Sequence, residues 1–241
     1  MVAILGHLTR VIAGVQVPNS PIVNASIELA YNNQPSHTYN HAMRTWLNGQ
    51  AIINRLPAGN RSMVDQEAFA VAAILHDIGW HQDPHFSTLE KRFEVDGADV
   101  ARAFIQQEGG NSWNKERQRI VWDAIALHGI INIARYKDFE VMLVGAGTLL
   151  EWNGIESAKA VYGDLITITP EEWETIALEF PRAGSLTFFR ELMIDLCRKK
   201  PATTYDNFVG DWGEKYLADY SRVGHRNIDI AENSTEEIKP Q

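Results

Sequence analysis

The chain has 241 residues, 45% of them hydrophobic and 22% charged, with 31 Asp and Glu against 22 Lys and Arg for a formal net charge of −9. That mix has enough apolar material for a folded core, and its acidic excess argues against a nucleic-acid backbone as the main partner, which needs clustered Lys and Arg. The single cysteine, Cys197, excludes an intrachain disulfide and any cysteine-based zinc site, and fits a reducing cytosol.

Residues 1–18 read as an irregular arm. Met1–Arg10 has no basic start and only a short apolar run, unlike a secretory signal. No stretch approaches the ~18 apolar residues of a membrane span, so a cytoplasmic protein is expected. Asn19-Ser20-Pro21 starts a helix to about Asn32, with Ser20 as cap and Pro21 in the first helical position. Pro35-Ser36 opens the next, which carries His41 and runs through Trp46, Ile52 and Ile53. Pro57–Asn60 is a loop. Asp65 or a neighbour caps a helix that closes at His76-Asp77, with Gly79 as its stop. Residues 80–92 form a polar loop containing His81, Pro84 and His85.

Asp96-Gly97-Ala98-Asp99 has the form of a cap that starts a helix to about Glu108, ended by Gly109-Gly110. Asn114 begins another, with Ile120, Val121, Ala124 and Ile125 on its apolar face and His128 close behind. A further helix covers Phe139 to Leu150. Thr169-Pro170-Glu171-Glu172 supplies a cap, a proline and an acidic first turn for a helix to Phe180. Ser185 to Lys199 makes another, its C-terminal cations suited to the helix dipole. The last spans roughly Asp206 to Tyr220, and the polar 231–241 tail reads as a frayed end. With no sustained period-2 pattern, the expectation is all-α: one helical domain over 1–241, a metal-binding core at about 19–155 and a helical extension at 156–230. The extension is rich in aromatics, which suits a lid or a homo-oligomer face; core packing explains the same residues.

The chemistry concentrates at His76-Asp77, which closes the apolar run Ala68–Leu75. Adjacent His and Asp at a helix end can hold one metal from one short stretch, and a distant His41 completes a facial set of N and O donors. Such a set leaves positions for water, as hydrolytic or hydrating metal chemistry requires. Without a metal, an Asp there opposes the helix dipole and needs a compensating cation. His81 and His85 lie in a proline-containing loop, so their spacing is not a helical metal pair. Asp96 is most simply a cap, which leaves Glu94 as the catalytic candidate of its segment. Arg44, three residues after His41, faces a carboxylate or a substrate. Trp80 walls a pocket or packs in the core, and Cys197 is a packing residue.

Five segments together resemble the HD-domain metallohydrolases and are similar to their cyanamide hydratase-like branch: Tyr39–Arg44, Ala73–Gly79, Arg92–Ala98, Ala124–His128 and Glu151–Gly154. The resemblance covers roughly residues 19–155. It implies a helical fold around one divalent metal, Zn²⁺ first and Fe²⁺ second, held by His41, His76, Asp77 and a later acid. Here the later acid is Glu151 where relatives have Asp, one methylene longer. Its carboxylate either reaches the metal or hangs back through a water. Gly129 stands where relatives usually place a small hydroxyl residue.

The implied activity is that of a hydratase (a lyase) or hydrolase acting on a small neutral nitrogen compound: cyanamide to urea, or a related nitrile or amide. A metal-bound water with a pKa near about 7 would deliver hydroxide. Asp77 would ligate and orient the water, His128 or Glu94 would move protons, and Trp80 and Arg44 would contact a small-molecule substrate, with neither nucleic acid nor membrane as partner. The alternative is phosphohydrolysis of a nucleotide or phosphoester. That needs cations aimed at phosphate, and many phosphohydrolase relatives place a basic residue where this chain has Trp80. Arg44, Arg61, Lys91 and Arg92 are the cations on offer. A third option is a non-catalytic helical protein, supported only by the Glu151 change.

Overall fold

The computed structural model describes residues 8–80 and 83–233. Among them are twelve α-helices, four short 3-10 turns and one two-stranded sheet, the all-α architecture expected. The sheet is a departure, because residues 9–18 form a hairpin and not an irregular arm. Strand β1 (Thr9–Ile12) pairs antiparallel with β2 (Val15–Pro18), Thr9 opposite Pro18 and Ile12 opposite Val15. Ala13 and Gly14 both take positive φ, 47° and 78°, the sense of turn that matches strand twist in a two-residue hairpin loop. Val15 and Val17 turn inward and Gln16 outward. An alanine in a left-handed position gives no warning in the sequence.

Helix α1 (Pro21–Asn33) begins at Pro21 as expected, although the Ser20 side chain makes no capping hydrogen bond. Helix α2 (Ser36–Arg55) is buried at every position from His41 to Ile53. A single turn, α3 (Ala58–Arg61), occupies the expected loop. Helix α4 (Gln66–Leu75) is buried at every position from Ala68 to Leu75. A helix apolar all round has no face for solvent and must run through the middle of a bundle. A 3-10 turn, Ile78–Trp80, follows it.

Helix α5 (Phe93–Glu108) starts three residues before Asp96, so Asp96 and Glu94 lie in its first turn and Asp96 is not its cap. Helix α6 (Lys115–Leu127) is capped by Asn114, whose side chain accepts from the Arg117 amide. A short α7 (Ile131–Ala134) leads to α8 (Phe139–Tyr162), twelve residues longer than expected at its C-terminal end. Gly154 breaks α8 with φ 80°, a conformation that a side chain would strain. Helix α9 (Pro170–Glu179) has a complete capping box between Thr169 and Glu172. Around α4 pack α1, α2, α6 and α8, while α2 crosses α8 and α6 packs on α5 and α8.

The start of α4 is tied down. Asp65 accepts from the Ala68 amide at 3.0 Å and donates its own amide to Glu140 at 2.5 Å. Arg117 spans Asp65 (2.5 and 2.9 Å) and Glu67 (3.0 Å) and lies over the Trp113 ring at 3.9 Å. These bonds from α6 and α8 fix the axial position of α4 and so of the His76-Asp77 pair at its other end.

The backbone contacts divide the chain into two compact units. One runs through Ser87 and resumes from Phe93 to Ala183; it holds the hairpin and α1 to α9. The other joins Thr88–Arg92 to the segment from Gly184 onward. It contains α10 (Ser185–Lys199), α11 (Val209–Tyr216) and α12 (Asn227–Asn233). Within it Lys200 donates to the Thr88 and Lys91 carbonyls at 3.2 and 3.0 Å, and buried Cys197 donates to the Val209 carbonyl. Helix α11 is shorter than the expected 206–220 element, because Tyr220 folds back to bond Thr204 at 2.7 Å. Among the described residues no helix is long and apolar enough to cross a membrane.

Gly79 does not end α4 through a left-handed cap; α4 stops at Leu75. Its role is close approach, since a Cβ there would run into the Phe93 carbonyl and the Gly97 amide of α5. Gly79→Ala is therefore expected to destabilise the fold by about 1–3 kcal/mol, the usual scale of overpacking. Gly59→Ala, where a Cβ meets nothing within 4 Å, should be neutral to slightly stabilising. Urea unfolding midpoints of the two variants check this; equal midpoints would contradict the close-packing role.

Candidate metal centre

Four helices, α2, α4, α6 and α8, bring imidazoles and carboxylates close together. Helix α2 presents His41 and, one turn on, Arg44, both buried. The C-terminal end of α4 presents His76 and Asp77, at 0% and 1% exposure. His128 sits at the corresponding end of α6, and Glu151 lies in α8.

The ring nitrogens are assigned by their partners. His76 Nδ1 lies 2.8 Å from the Ala73 carbonyl and His128 Nδ1 2.7 Å from the Ile125 carbonyl. A carbonyl only accepts, so both Nδ1 atoms carry the proton and both Nε2 atoms keep a lone pair when neutral. His41 Nδ1 lies 2.9 Å from Glu151 Oε2 and donates to it in the same way.

The three Nε2 atoms converge on Asp77. His41 Nε2 lies 3.2 Å and His76 Nε2 3.0 Å from Oδ2, and His128 Nε2 lies 3.4 Å from Oδ1. Despite these distances both Asp77 oxygens are buried without a partner in hydrogen-bonding geometry. His41 Nε2 and His76 Nε2 are themselves 3.0 Å apart. Lone pairs that face one another across a buried point are arranged for a cation, not for mutual hydrogen bonds.

The spacing fits a divalent ion. Bonds of about 2.0–2.2 Å at octahedral or tetrahedral angles place donors about 2.8–3.6 Å apart. The pairwise distances within His41, His76 and Asp77 are 3.0, 3.2 and 3.0 Å. Among the described residues, this is the one group of three or more His, Cys, Asp and Glu with metal-holding geometry.

Glu151 does not join that group. It lies at the far edge of the His41 ring, and its Oε1 accepts from Arg44 Nε at 2.6 Å and pairs with Nη2 at 2.5 Å. Arg44, offered for a carboxylate or a substrate, also donates to the Phe180 and Pro181 carbonyls at 2.8 and 3.0 Å. Trp80 stacks on His41 at 6.0 Å and 16°, and Phe93 packs on both Trp80 and His128. Glu94 is buried in the first turn of α5, and its charge acts on His128. His85 is largely exposed and pairs with Asp83 at 2.6 Å, away from the centre; His81 lies outside the described residues.

Two contributors carried no signal of their own in the sequence. Trp152 lies against His41 at 4.9 Å and 40°, a second indole in contact with the imidazole besides Trp80. Its place next to Glu151 was the only available hint. Arg182 donates to the Glu151 backbone carbonyl and holds Nε 3.6 Å from Oε1. It comes from the loop after α9, and nothing in its local sequence marks it.

Charge is balanced within the group when no metal is bound. Burial disfavours a charged His41, but Glu151 and Asp77 outweigh it and push the ring up to about 9. Burial dominates at His76 and lowers it. Asp77 stays well below the ordinary carboxylate range despite burial, because His76 and the other imidazoles surround it. Burial likewise opposes ionisation of Glu151, yet His41 and Arg44 pull it down to about 2.

Residues 38–148 match the family model of the HD domain. The matched span includes His41, His76, Asp77 and His128 and ends three residues before Glu151. This match supports the HD metallohydrolase superfamily and, with the His41–His76–Asp77 group, a divalent metal and metal-dependent hydrolase chemistry in general. No curated protein matches the chain.

A protonated His41 must lose its proton to become a ligand. Below about 9, where His41 is charged, metal uptake should therefore release about one proton, and apparent affinity should rise about tenfold per pH unit between pH 6 and 8. Chelator competition across that range measures the slope; an affinity independent of pH would contradict a cationic His41 in the metal-free protein.

Proposed function

We propose that the chain is a metal-dependent enzyme that adds water to a small neutral nitrogen compound, a nitrile of the cyanamide type or a related amide. The observation that carries this reading is the contact of two indoles, Trp80 and Trp152, with His41, with the buried guanidinium of Arg44 already committed to Glu151 and two carbonyls. An apolar wall suits a compact uncharged substrate; a phosphoester needs cations that point at it.

A divalent metal held by His41, His76 and Asp77 would supply Lewis acidity and an acidified water. The chain's own residues account for orientation and proton movement. Asp77 turns Oδ2 to the two ligand histidines and Oδ1 to His128. His128 is locked through Nδ1 to the Ile125 carbonyl, so only Nε2 is free to exchange a proton near the reacting atoms. Burial opposes protonation of His128, but Asp77 and Glu94 raise its affinity for a proton above the ordinary histidine value.

Adding water to a nitrile forms one C–O bond, takes a proton from the water oxygen and delivers one to the nitrile nitrogen; a second transfer from oxygen to nitrogen yields the amide or urea. His128 Nε2 is the group positioned to carry these protons.

Of the other cations offered for phosphate, Arg61 is engaged elsewhere. Arg61 donates to the Asn54 carbonyl and lines a groove of about 660 Å³ with Thr9, Asp65 and Arg117. The test is urea release from cyanamide by the metal-loaded chain, beside a panel of small nitriles, amides, phosphomonoesters and nucleotides. Turnover of a nitrile or amide is expected. His128→Ala should lower kcat by about 10²–10⁴-fold, and Trp80→Ala should act mainly on KM. Phosphate release without nitrile or amide turnover would overturn the proposal in favour of phosphohydrolysis.

A further inference from the structure

We infer that Glu151 is a positioning residue for His41 and not a ligand to the metal, an inference that rests on the metal reading above. The two nitrogens of an imidazole lie on different edges of the ring, and Glu151 takes the one that faces away from the donor cluster. Its Oε2 accepts from Nδ1 at 2.9 Å, while Nε2 of the same ring faces His76 and Asp77.

The second oxygen is equally committed. Oε1 holds Arg44 through Nε at 2.6 Å and Nη2 at 2.5 Å, and Arg44 is 2% exposed. Arg44 is in turn anchored to the Phe180 and Pro181 carbonyls, and Asn40 adds a bond to Pro181 at 3.3 Å. Arg182 fastens the Glu151 backbone. Swinging the carboxylate to the metal would leave a buried guanidinium without its counter-ion, the costly half of breaking a buried pair.

The chemical consequence follows from the tautomer. With Nδ1–H held by a carboxylate, His41 keeps Nε2 free and more basic, the usual effect of an outer carboxylate on a ligand imidazole. The protein then contributes three donors, His41, His76 and Asp77, and the remaining positions fall to water and substrate. The extra methylene of Glu over Asp is what lets one side chain reach the outer edge of His41 and Arg44 at once.

The experiment is a pair of measurements on the full chain loaded with zinc: a crystal structure of the wild type, and ¹⁵N-resolved NMR of the His41 ring with zinc affinity in wild type, Glu151→Gln and Glu151→Asp. The expected structure has the Glu151 carboxylate on His41 Nδ1 and off the metal. The wild type should show a low-field Nδ1 proton that shifts upfield in both variants. Glu151→Gln should still bind about one zinc, with affinity reduced about 10–100-fold. A wild-type structure with Glu151 on the zinc, or an unchanged Nδ1 proton in both variants, would overturn the inference while zinc stoichiometry stays at one. A wild type that takes up no zinc would instead remove the metal reading itself. Should the variants fail to fold, the zinc-loaded wild-type structure decides alone.

Discussion

The centre depends on one buried carboxylate. Asp77 is 1% exposed, neither of its oxygens has a hydrogen bond in proper geometry, and three imidazole Nε2 atoms face it from 3.0 to 3.4 Å. An isolated carboxylate taken from water costs several kcal/mol, so a buried one is kept only where a cation or a dense set of donors compensates. Without metal, Glu151 and Asp77 favour a charged His41; a bound ion would take the place of that proton.

The fold explains why Asp77 is there. Helix α4 is apolar on every side, so the bundle forms around it and whatever follows its last turn is buried too. Its first turn is clamped by Asp65, Arg117 and Glu140. Beyond its last turn, Gly79 allows α5 to approach within backbone contact. His76 and His128 then occupy equivalent places, each at the end of a helix with Nδ1 tied to the carbonyl three residues back. That local bond needs no distant partner, which makes the orientation of both rings a property of the helix ends themselves.

Much of this was legible from residues alone, and the exceptions have two causes, distant contacts and local backbone geometry. The apolar run Ala68–Leu75 with His76-Asp77 at its end announced a central helix, and His41, His76 and Asp77, read together in the sequence, lie together with spacing that could hold a metal. The capping residues Asp65, Asn114 and Thr169 were readable because a cap is a local bond. One part of what was not legible depended on contacts far apart in the chain. Of the carboxylate or substrate offered for Arg44, the carboxylate it pairs with is Glu151, 107 positions away. Trp152 reached His41 from α8, and Arg182 reached Glu151 from a loop. The hairpin was hidden by an alanine in a left-handed turn position, and the longer α8 by a glycine that kinks the helix without ending it.

The claim on which all else stands is that His41, His76 and Asp77 hold one divalent ion. Elemental analysis of the chain, purified without chelator and with metal added back, tests it most directly when done beside His76→Ala. The account predicts roughly one zinc or iron per chain in the wild type, in keeping with a single three-donor site, and its loss in the variant. A metal-free wild type, or a variant that keeps the wild-type metal content, would contradict it.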